Sequence, residues 1–243
     1  MALEQFELRL VHSKTIGPSI KHLELTRTDE KLLDFVPGQF ITLLLKNEAG
    51  ELKRRSYSIA NNKGEATLAI AVSYIAGGIA SELLFNLKPG DTIKAMGPAG
   101  RLVLPDESFA RMILVGTGTG IAPYRSMLPA LHERLAAEPH LTVHLLLGVQ
   151  YRESALYAED FLAFAVTHPQ FHFHAALSRE TTPLAPHEIK GHVQAVFDDL
   201  HLCPTTDLVY LCGNPNMIDE SFQLLVDAGF PTPQIRREKY ISS

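Results

Sequence analysis

The run Gly116-Thr117-Gly118-Thr119-Gly120-Ile121-Ala122-Pro123, set directly after the apolar segment Met112 to Val115, constrains the fold of this chain more than any other stretch. An apolar strand, a turn with three glycines and a proline suited to a first helical turn make the strand-to-helix joint of a parallel α/β sheet. The glycines allow a tight turn and close approach of a ligand, while the helix offers unpartnered amide donors and the positive end of its dipole. Such a joint suits a diphosphate; the plainer reading is a glycine-rich strand-to-helix turn with no ligand. It is not the ordinary dinucleotide fingerprint: Ile121 stands where G-x-G-x-x-G has its last glycine, and no Asp or Glu closes the second strand at Gly148.

The rest of the chain has two textures. After Pro105 come wholly apolar strands, Met112 to Val115, Leu141 to Leu147, Phe171 to Leu177 and Leu208 to Cys212, alternating with amphipathic segments. Helices are expected near Pro123 to Leu135, Tyr157 to Val166, Val193 to Leu200 and Pro215 to Ala228, so the crossovers are right-handed. Before it, short alternating runs at Phe6 to Val11, Ile20 to Leu25, Phe40 to Leu45 and Thr67 to Val72 are divided by turn signals. Those signals are Gly17-Pro18, Pro37-Gly38, Asn47 to Gly50, Asn61 to Gly64, Pro89-Gly90 and Gly97-Pro98. This pattern suits a small antiparallel β-barrel, interrupted by one helix at Ser81-Glu82-Leu83-Leu84-Phe85. The expectation is a two-domain protein, divided into residues 1–107 and 108–243, and a 46% hydrophobic composition is ample for both cores.

Other stretches carry chemistry. Arg55-Ser56-Tyr57-Ser58 sets a permanent cation, an aromatic face and a hydroxyl on one extended run, which suits a phosphorylated aromatic cofactor; the plainer reading is an edge strand with an exposed Arg. Gly77-Gly78-Ile79-Ala80-Ser81 makes a second, smaller phosphate seat, in which Ser81 suits both a helix N-cap and a phosphate contact. Leu211-Cys212-Gly213-Asn214-Pro215 puts a thiol at the carboxyl end of a parallel strand, the edge where open sheets bind ligands, although a lone Cys there is commonly core packing. In the charged tail Arg236-Arg237-Glu238-Lys239-Tyr240-Ile241-Ser242-Ser243, Glu238 and Tyr240 face one side of an extended segment and are placed to close over a ring; the plainer reading is a solvated end.

Several classes are excluded. A net charge of −5 argues against a general nucleic-acid binder. The two cysteines, Cys203 and Cys212, lack any paired Cys or His motif, so neither a zinc site nor an iron–sulfur cluster assembles. Eleven histidines are scattered, His172 and His174 falling on one face of a strand near solvent, and no metal is expected. The N-terminus shows no basic region followed by an apolar core, and no apolar run reaches the roughly 20 residues of a membrane span, so a soluble cytoplasmic protein is expected.

With these residues in this order, the chain resembles the ferredoxin–NADP reductase superfamily over nearly its full length. The most specific match is Gly116 to Leu128, followed by Arg55-Ser56-Tyr57-Ser58, Leu211 to Pro215 and Ser178-Arg179-Glu180. The resemblance implies an antiparallel flavin-binding β-barrel that holds FAD, followed by a parallel five-stranded domain that binds the nicotinamide nucleotide, with hydride passing between them. It implies that Arg55 binds the flavin diphosphate, Tyr57 packs on the flavin and Ser58 hydrogen-bonds near its reactive nitrogen, with Gly78 and Ser81 on the remaining phosphate. Gly118 and Thr119 would meet the nucleotide's diphosphate, Cys212 would lie beside the nicotinamide, Glu238 would relay protons and Tyr240 would stack over the flavin. Plant-type members end at that Tyr, whereas Ile241-Ser242-Ser243 follows here.

Ser178-Arg179 matches the pair that grips the extra phosphate of NADP, which favours NADP(H) as the nucleotide; Gln150 stands where many bacterial members carry Arg, with Arg152 and Lys190 nearby. No intrinsic cluster is expected, so a separate one-electron carrier, ferredoxin or flavodoxin, is the expected partner, with Lys53, Arg54, Arg236, Arg237 and Lys239 as a basic rim for it. Competing readings are an oxygenase's reductase component, a free flavin reductase and a non-catalytic flavin- or nucleotide-binding module. FMN competes with FAD, since no adenine pocket is legible.

Overall fold

The computed structural model describes residues 3–46 and 50–240. Part of the Asn47 to Gly50 turn, the first two residues and the tail Ile241-Ser242-Ser243 lie outside the described residues. The chain forms two compact units, residues 1–104 with Ala122–Met127, and residues 105–121 with 128–243.

The first unit is built from strands β1 (Glu4–Ile16), β2 (Ile20–Arg27), β3 (Phe40–Lys46), β4 (Leu52–Ser58), β5 (Leu68–Ser73) and β6 (Thr92–Ala99), with one helix, α1 (Ile79–Asn86). The strands make a six-stranded antiparallel sheet in the order β4-β3-β6-β1-β2-β5, and a bridge between Ile59 and Ile70 joins its two edges into a barrel. Period-two alternation sends Phe6, Leu8, Leu10, Leu23, Leu25, Ile41, Leu43, Leu45, Ile70 and Val72 into one core. On β2 that inward row reads Lys21-Leu23-Leu25-Arg27, with a buried cation at each end. Arg27 lies over the Phe6 ring and bonds Glu4 and Asp29 at 2.7 Å each. Lys21 turns its ammonium to the Phe85 carbonyl at 2.8 Å, satisfying the carboxyl end of α1, where helix carbonyls lack intrahelical partners and a cation is favoured. Gly97-Pro98, expected as a turn, lies inside β6, because Gly97 pairs with Glu4 and Ala99 with Phe40.

The second unit contains β7 (Arg111–Thr117), α2 (Ala122–Ala137), β8 (Thr142–Val149), α3 (Ala158–Thr167), β9 (Phe171–Leu177), β10 (Glu188–Lys190), α4 (Ala195–Leu200), β11 (Asp207–Gly213), α5 (Pro215–Asp227) and β12 (Ile235–Lys239). The first turns of α2 belong with the barrel unit. Its sheet is parallel throughout, in the order β10-β9-β8-β7-β11-β12. The strand count is six where five were expected: β10 is a three-residue edge strand too short to show in the hydropathy pattern. The tail segment Ile235–Lys239 is the other edge, held by backbone pairing to β11 although only Ile235 of its five residues is buried. Winding proceeds outward from β7 through β8, β9 and β10, then returns to β11 and β12 on β7's other side. The reversal between β7 and β11 is a topological switch point, and the crevice beyond their carboxyl ends is where such sheets take ligands.

Replacing Lys21 by Met keeps the apolar stem and leaves the carbonyls at the end of α1 without their cation. A loss of about 1–3 kcal/mol, or roughly 2–10 °C in melting temperature, is expected. Thermal unfolding followed by circular dichroism checks it; an unchanged melting temperature would remove Lys21 from this role.

Candidate active site

On the barrel, the inward row of β4 is polar along most of its length. Lys53, Arg55 and Tyr57 stand opposite Leu45, Leu43 and Ile41 of β3, and all three are half-buried. Arg55 Nη1 donates to the Arg54 carbonyl at 2.9 Å, and a half-buried guanidinium on this row suits an anionic ligand. Tyr57 packs against the core cluster, and burial pushes its phenol up to about 12 while the Arg55 charge pulls the other way, so its ring stays neutral. Ser58, the last residue of β4, is buried. The segment after it is held by two side chains that sequence reasoning missed. Asn61, itself buried, donates to the carbonyls of Asn62 and Thr67 and accepts from the Ala69 amide at 2.8 Å. Arg125 donates to the Ala60 carbonyl at 2.8 Å. In sequence Asn61 reads as a turn residue, and Arg125 as part of a helix and of the Gly116 to Leu128 match.

The seat at α1 differs from expectation. Gly78, not Ser81, is the N-cap, and no side chain caps the helix. Ser81 is buried, and its hydroxyl lies 3.1 Å from the Ile75 amide, 2.8 Å from the Ile75 carbonyl and 2.9 Å from the Gly78 carbonyl. Ser81 therefore ties the 75–78 loop onto the helix. The Gly77 amide meets the Glu82 carboxylate at 3.2 Å, and the Gly78 amide meets the Ile75 carbonyl at 2.9 Å.

In the second unit, Gly118 has φ +53°, and nothing lies within 4 Å of the place a Cβ would take. This left-handed turn opens a cradle beside the following helix that a side chain would fill. Gly120 has the opposite reason to be glycine: a Cβ there would fall 2.6 Å from Gly213 Cα and run into the Cys212 carbonyl. The turns after β7 and β11 are further tied by the Asn214 amide, which donates to Thr117 Oγ1 at 2.9 Å. Asn214 then caps α5 by accepting from the Asn216 amide at 2.8 Å. Neither Thr117 nor Asn214 had been singled out as a joint.

Cys212 is fully buried and lies in register with Glu238 of β12. Burial pushes its thiol well above the usual range, the Glu238 charge pushes the same way, and a hydrogen bond with Tyr240 pulls against both. Tyr240 extends the β12 pairing through its amide to the Gly213 carbonyl at 2.9 Å, and its hydroxyl comes within 3.5 Å of the Thr119 carbonyl. Four of the expected residues, Thr119, Cys212, Glu238 and Tyr240, thus converge at the switch point.

Comparison with known proteins decides the family. The family described as the oxidoreductase FAD-binding domain matches residues 7–104, and the oxidoreductase NAD-binding domain matches residues 114–222. A ferredoxin–NADP reductase B of Sorangium cellulosum is 33% identical over 245 aligned positions, covering 98% of each chain. The chain belongs to the ferredoxin–NADP reductase superfamily. A crystal structure of a superfamily member, a ferredoxin NADP+ reductase from Neisseria gonorrhoeae with bound FAD and NADP, aligns with a TM-score of 0.83 at 25% identity, covering 98% of this chain and 99% of that one. The toluate 1,2-dioxygenase electron transfer component of Pseudomonas putida is 28% identical, over 97% of this chain and 66% of its own length. The chain is an FAD-dependent oxidoreductase with a nicotinamide-nucleotide domain, and its residues fit both groups: the half-buried Arg55 on β4 suits the flavin diphosphate, and the open turn at Gly118 suits the nucleotide's.

In this reductase Ser178 and Arg179 extend the β8–β9 pairing, through the Ser178 amide to the Val149 carbonyl at 3.0 Å and the Arg179 amide to the Gln150 carbonyl at 2.9 Å. The Arg179 side chain is exposed. Glu180 folds back into the turn, and hydrogen bonds from the amides of Thr182 and Arg152 hold its carboxyl down to about 2. Arg152, which the sequence offered as a substitute for the missing Arg at 150, is bound to Glu188 through two 2.6 Å bonds. In the expected basic rim Lys53 pairs with Glu51, Lys239 pairs with Asp219 and Arg237 lies over the Phe222 ring at 3.8 Å, while Arg54, Arg237 and Lys239 are exposed. His172 and His174 share a face with His144, whose ring stacks on them at 4.8 and 5.9 Å. Among the described residues no group of three or more His, Cys, Asp or Glu is arranged to hold a metal ion, and no helix is long and apolar enough to cross a membrane.

The two thiols sit in different environments. Hydrogen bonds from Thr205 and Thr206 bring half-buried Cys203 down to about 7, whereas Cys212 is held protonated. Alkylation of the native enzyme at pH 8, mapped by mass spectrometry, is expected to modify Cys203 and spare Cys212. Equal labelling of both would contradict this environment for Cys212.

Proposed function

We propose that this flavoenzyme exchanges hydride with NADP(H) and single electrons with a separate carrier, a ferredoxin or flavodoxin. The observation that carries the reading is the convergence of Cys212, Glu238, Tyr240 and Thr119 beyond the carboxyl ends of β7 and β11. Bound FAD supplies the exchange between a two-electron hydride and one-electron steps, so the protein's part is placement and electrostatics.

Each residue then has a limited task. Arg55 neutralises the flavin diphosphate, Tyr57 offers a neutral aromatic face, and buried Ser58 donates its hydroxyl to the flavin edge. The first-turn amides of α1, shaped by Gly78 and Ser81, receive the remaining phosphate. Gly118 and Thr119 receive the nucleotide's diphosphate. Cys212, kept as a neutral thiol, packs beside the nicotinamide and excludes water without acting as a nucleophile. Glu238 holds or passes a proton, and Tyr240 supplies the covering ring. Ser178 and Arg179 read the extra phosphate of NADP.

A second reading is an NADH-dependent component that feeds an oxygenase. It is favoured by Gln150 and by the engagement of Arg152 with Glu188, which leave fewer cations for an added phosphate.

Two variants test the assignments. Arg179→Ala is expected to raise KM for NADPH by about tenfold, the size of one charge-assisted hydrogen bond, and to move NADH far less. Equal losses for both nucleotides would support the second reading. Ser58→Ala is expected to retain FAD and slow its reduction roughly fivefold, as one hydrogen bond of about 1 kcal/mol implies. Stopped-flow reduction rates matching the wild type would take Ser58 out of the mechanism.

A further inference from the structure

The turn that carries Ser178 and Arg179 is clamped from beneath by one guanidinium. Arg152 donates Nε to Glu188 Oε1 at 2.6 Å and Nη2 to Glu188 Oε2 at 2.6 Å. Its other donors reach into the same turn, Nη1 to Thr182 Oγ1 at 3.0 Å and Nη2 to the Pro183 carbonyl at 2.8 Å. The Glu188 side chain is 2% exposed, and its Oε2 also accepts the Ala185 amide at 2.8 Å. From the other side Glu180 accepts the backbone amide of Arg152 at 3.1 Å, the amides of Thr181 and Thr182 at 3.0 and 3.1 Å, and the Thr182 hydroxyl at 2.8 Å. A cavity of about 440 Å³, lined by Tyr151, Arg152, Glu153, Glu180 and Thr182, opens beside the clamp.

A bidentate fork onto a buried carboxylate fixes both partners in one geometry. Arg152 cannot swing out to a ligand phosphate without leaving Glu188 buried and uncompensated, which is strongly disfavoured. The residue that stands in sequence as a replacement for the Arg absent at position 150 is therefore committed to the protein. The cavity beside it is lined by two carboxylates, Glu153 and Glu180, so a turn free to shift would bring negative charge toward a phosphate dianion.

We propose that Arg152 and Glu188 are the positioning pair of the 2′-phosphate subsite: they fix the 178–183 turn so that Arg179 presents its guanidinium to the phosphate, and Arg152 itself does not touch it. The proposal rests on reading the nucleotide as NADP(H). In this arrangement nucleotide choice depends on an ion pair, from an exposed guanidinium to a buried carboxylate, that meets no ligand atom.

Steady-state kinetics of the FAD-loaded enzyme with NADPH and with NADH test it, in Arg152→Gln, Glu188→Gln and Arg179→Ala. Arg152→Gln is expected to raise KM for NADPH roughly tenfold with kcat nearly kept, and to move NADH far less. Glu188→Gln separates positioning from contact. It releases Arg152, so a positioning role predicts a higher KM for NADPH, whereas a phosphate-gripping Arg152 predicts a lower one; the lower value would overturn the proposal. Should Arg152→Gln fail to retain FAD, Glu188→Gln preserves the side-chain shape and carries the same comparison. A selective NADPH loss in Arg179→Ala with none in the other two overturns the proposal and leaves the nucleotide reading standing. Equal loss of both nucleotides in Arg179→Ala overturns the nucleotide reading and the proposal with it.

Discussion

Where the second sheet reverses its winding, the turns leaving β7 and β11 pass so close that Gly120 has no room for a side chain against Cys212 and Gly213. Much of the nucleotide side depends on that approach. It brings the carbonyl of Thr119 near the Tyr240 hydroxyl, lets Thr117 accept the Asn214 amide, and sets the N-terminus of α5 through the Asn214 cap. Of the three glycines in the turn, Gly116 and Gly120 are closed in by backbone and the left-handed Gly118 is open, which suits a ligand's phosphates. Gly120 is fixed by packing and Gly118 by its left-handed backbone, although the two look alike in the chain.

Charge in this protein is mostly committed locally. Arg27 is held between Glu4 and Asp29, Lys21 ends α1, Lys239 meets Asp219, and Arg152 is bound to Glu188. Of these cations only Lys239 belongs to the expected basic rim, whereas Arg27, Lys21 and Arg152 hold parts of the fold together.

The barrel and the parallel sheet were legible because hydropathy period separates a half-buried antiparallel strand from a strand covered on both faces, and that contrast changes near Pro105. The glycine turn was legible because few backbones other than a phosphate-binding joint call for that spacing. Less visible were features set by long-range pairing. Ile235–Lys239 is charged and reads as a loose tail, yet backbone bonds to β11 make it an edge strand that delivers Glu238 to Cys212. Ser81 reads as a helix cap by position, but the loop before α1 turns its hydroxyl inward. Nothing in the local sequence marks Arg152 as Glu188's partner, since the two are 36 positions apart.

The most direct test of the account is the visible absorption spectrum of the purified protein under anaerobic conditions, before and after parallel additions of NADPH and NADH. A bound-flavin spectrum bleached much faster by NADPH than by NADH is the predicted result. A protein that purifies without flavin and takes none up from added FAD would contradict the role given to Arg55, Tyr57 and Ser58, and with it the central claim.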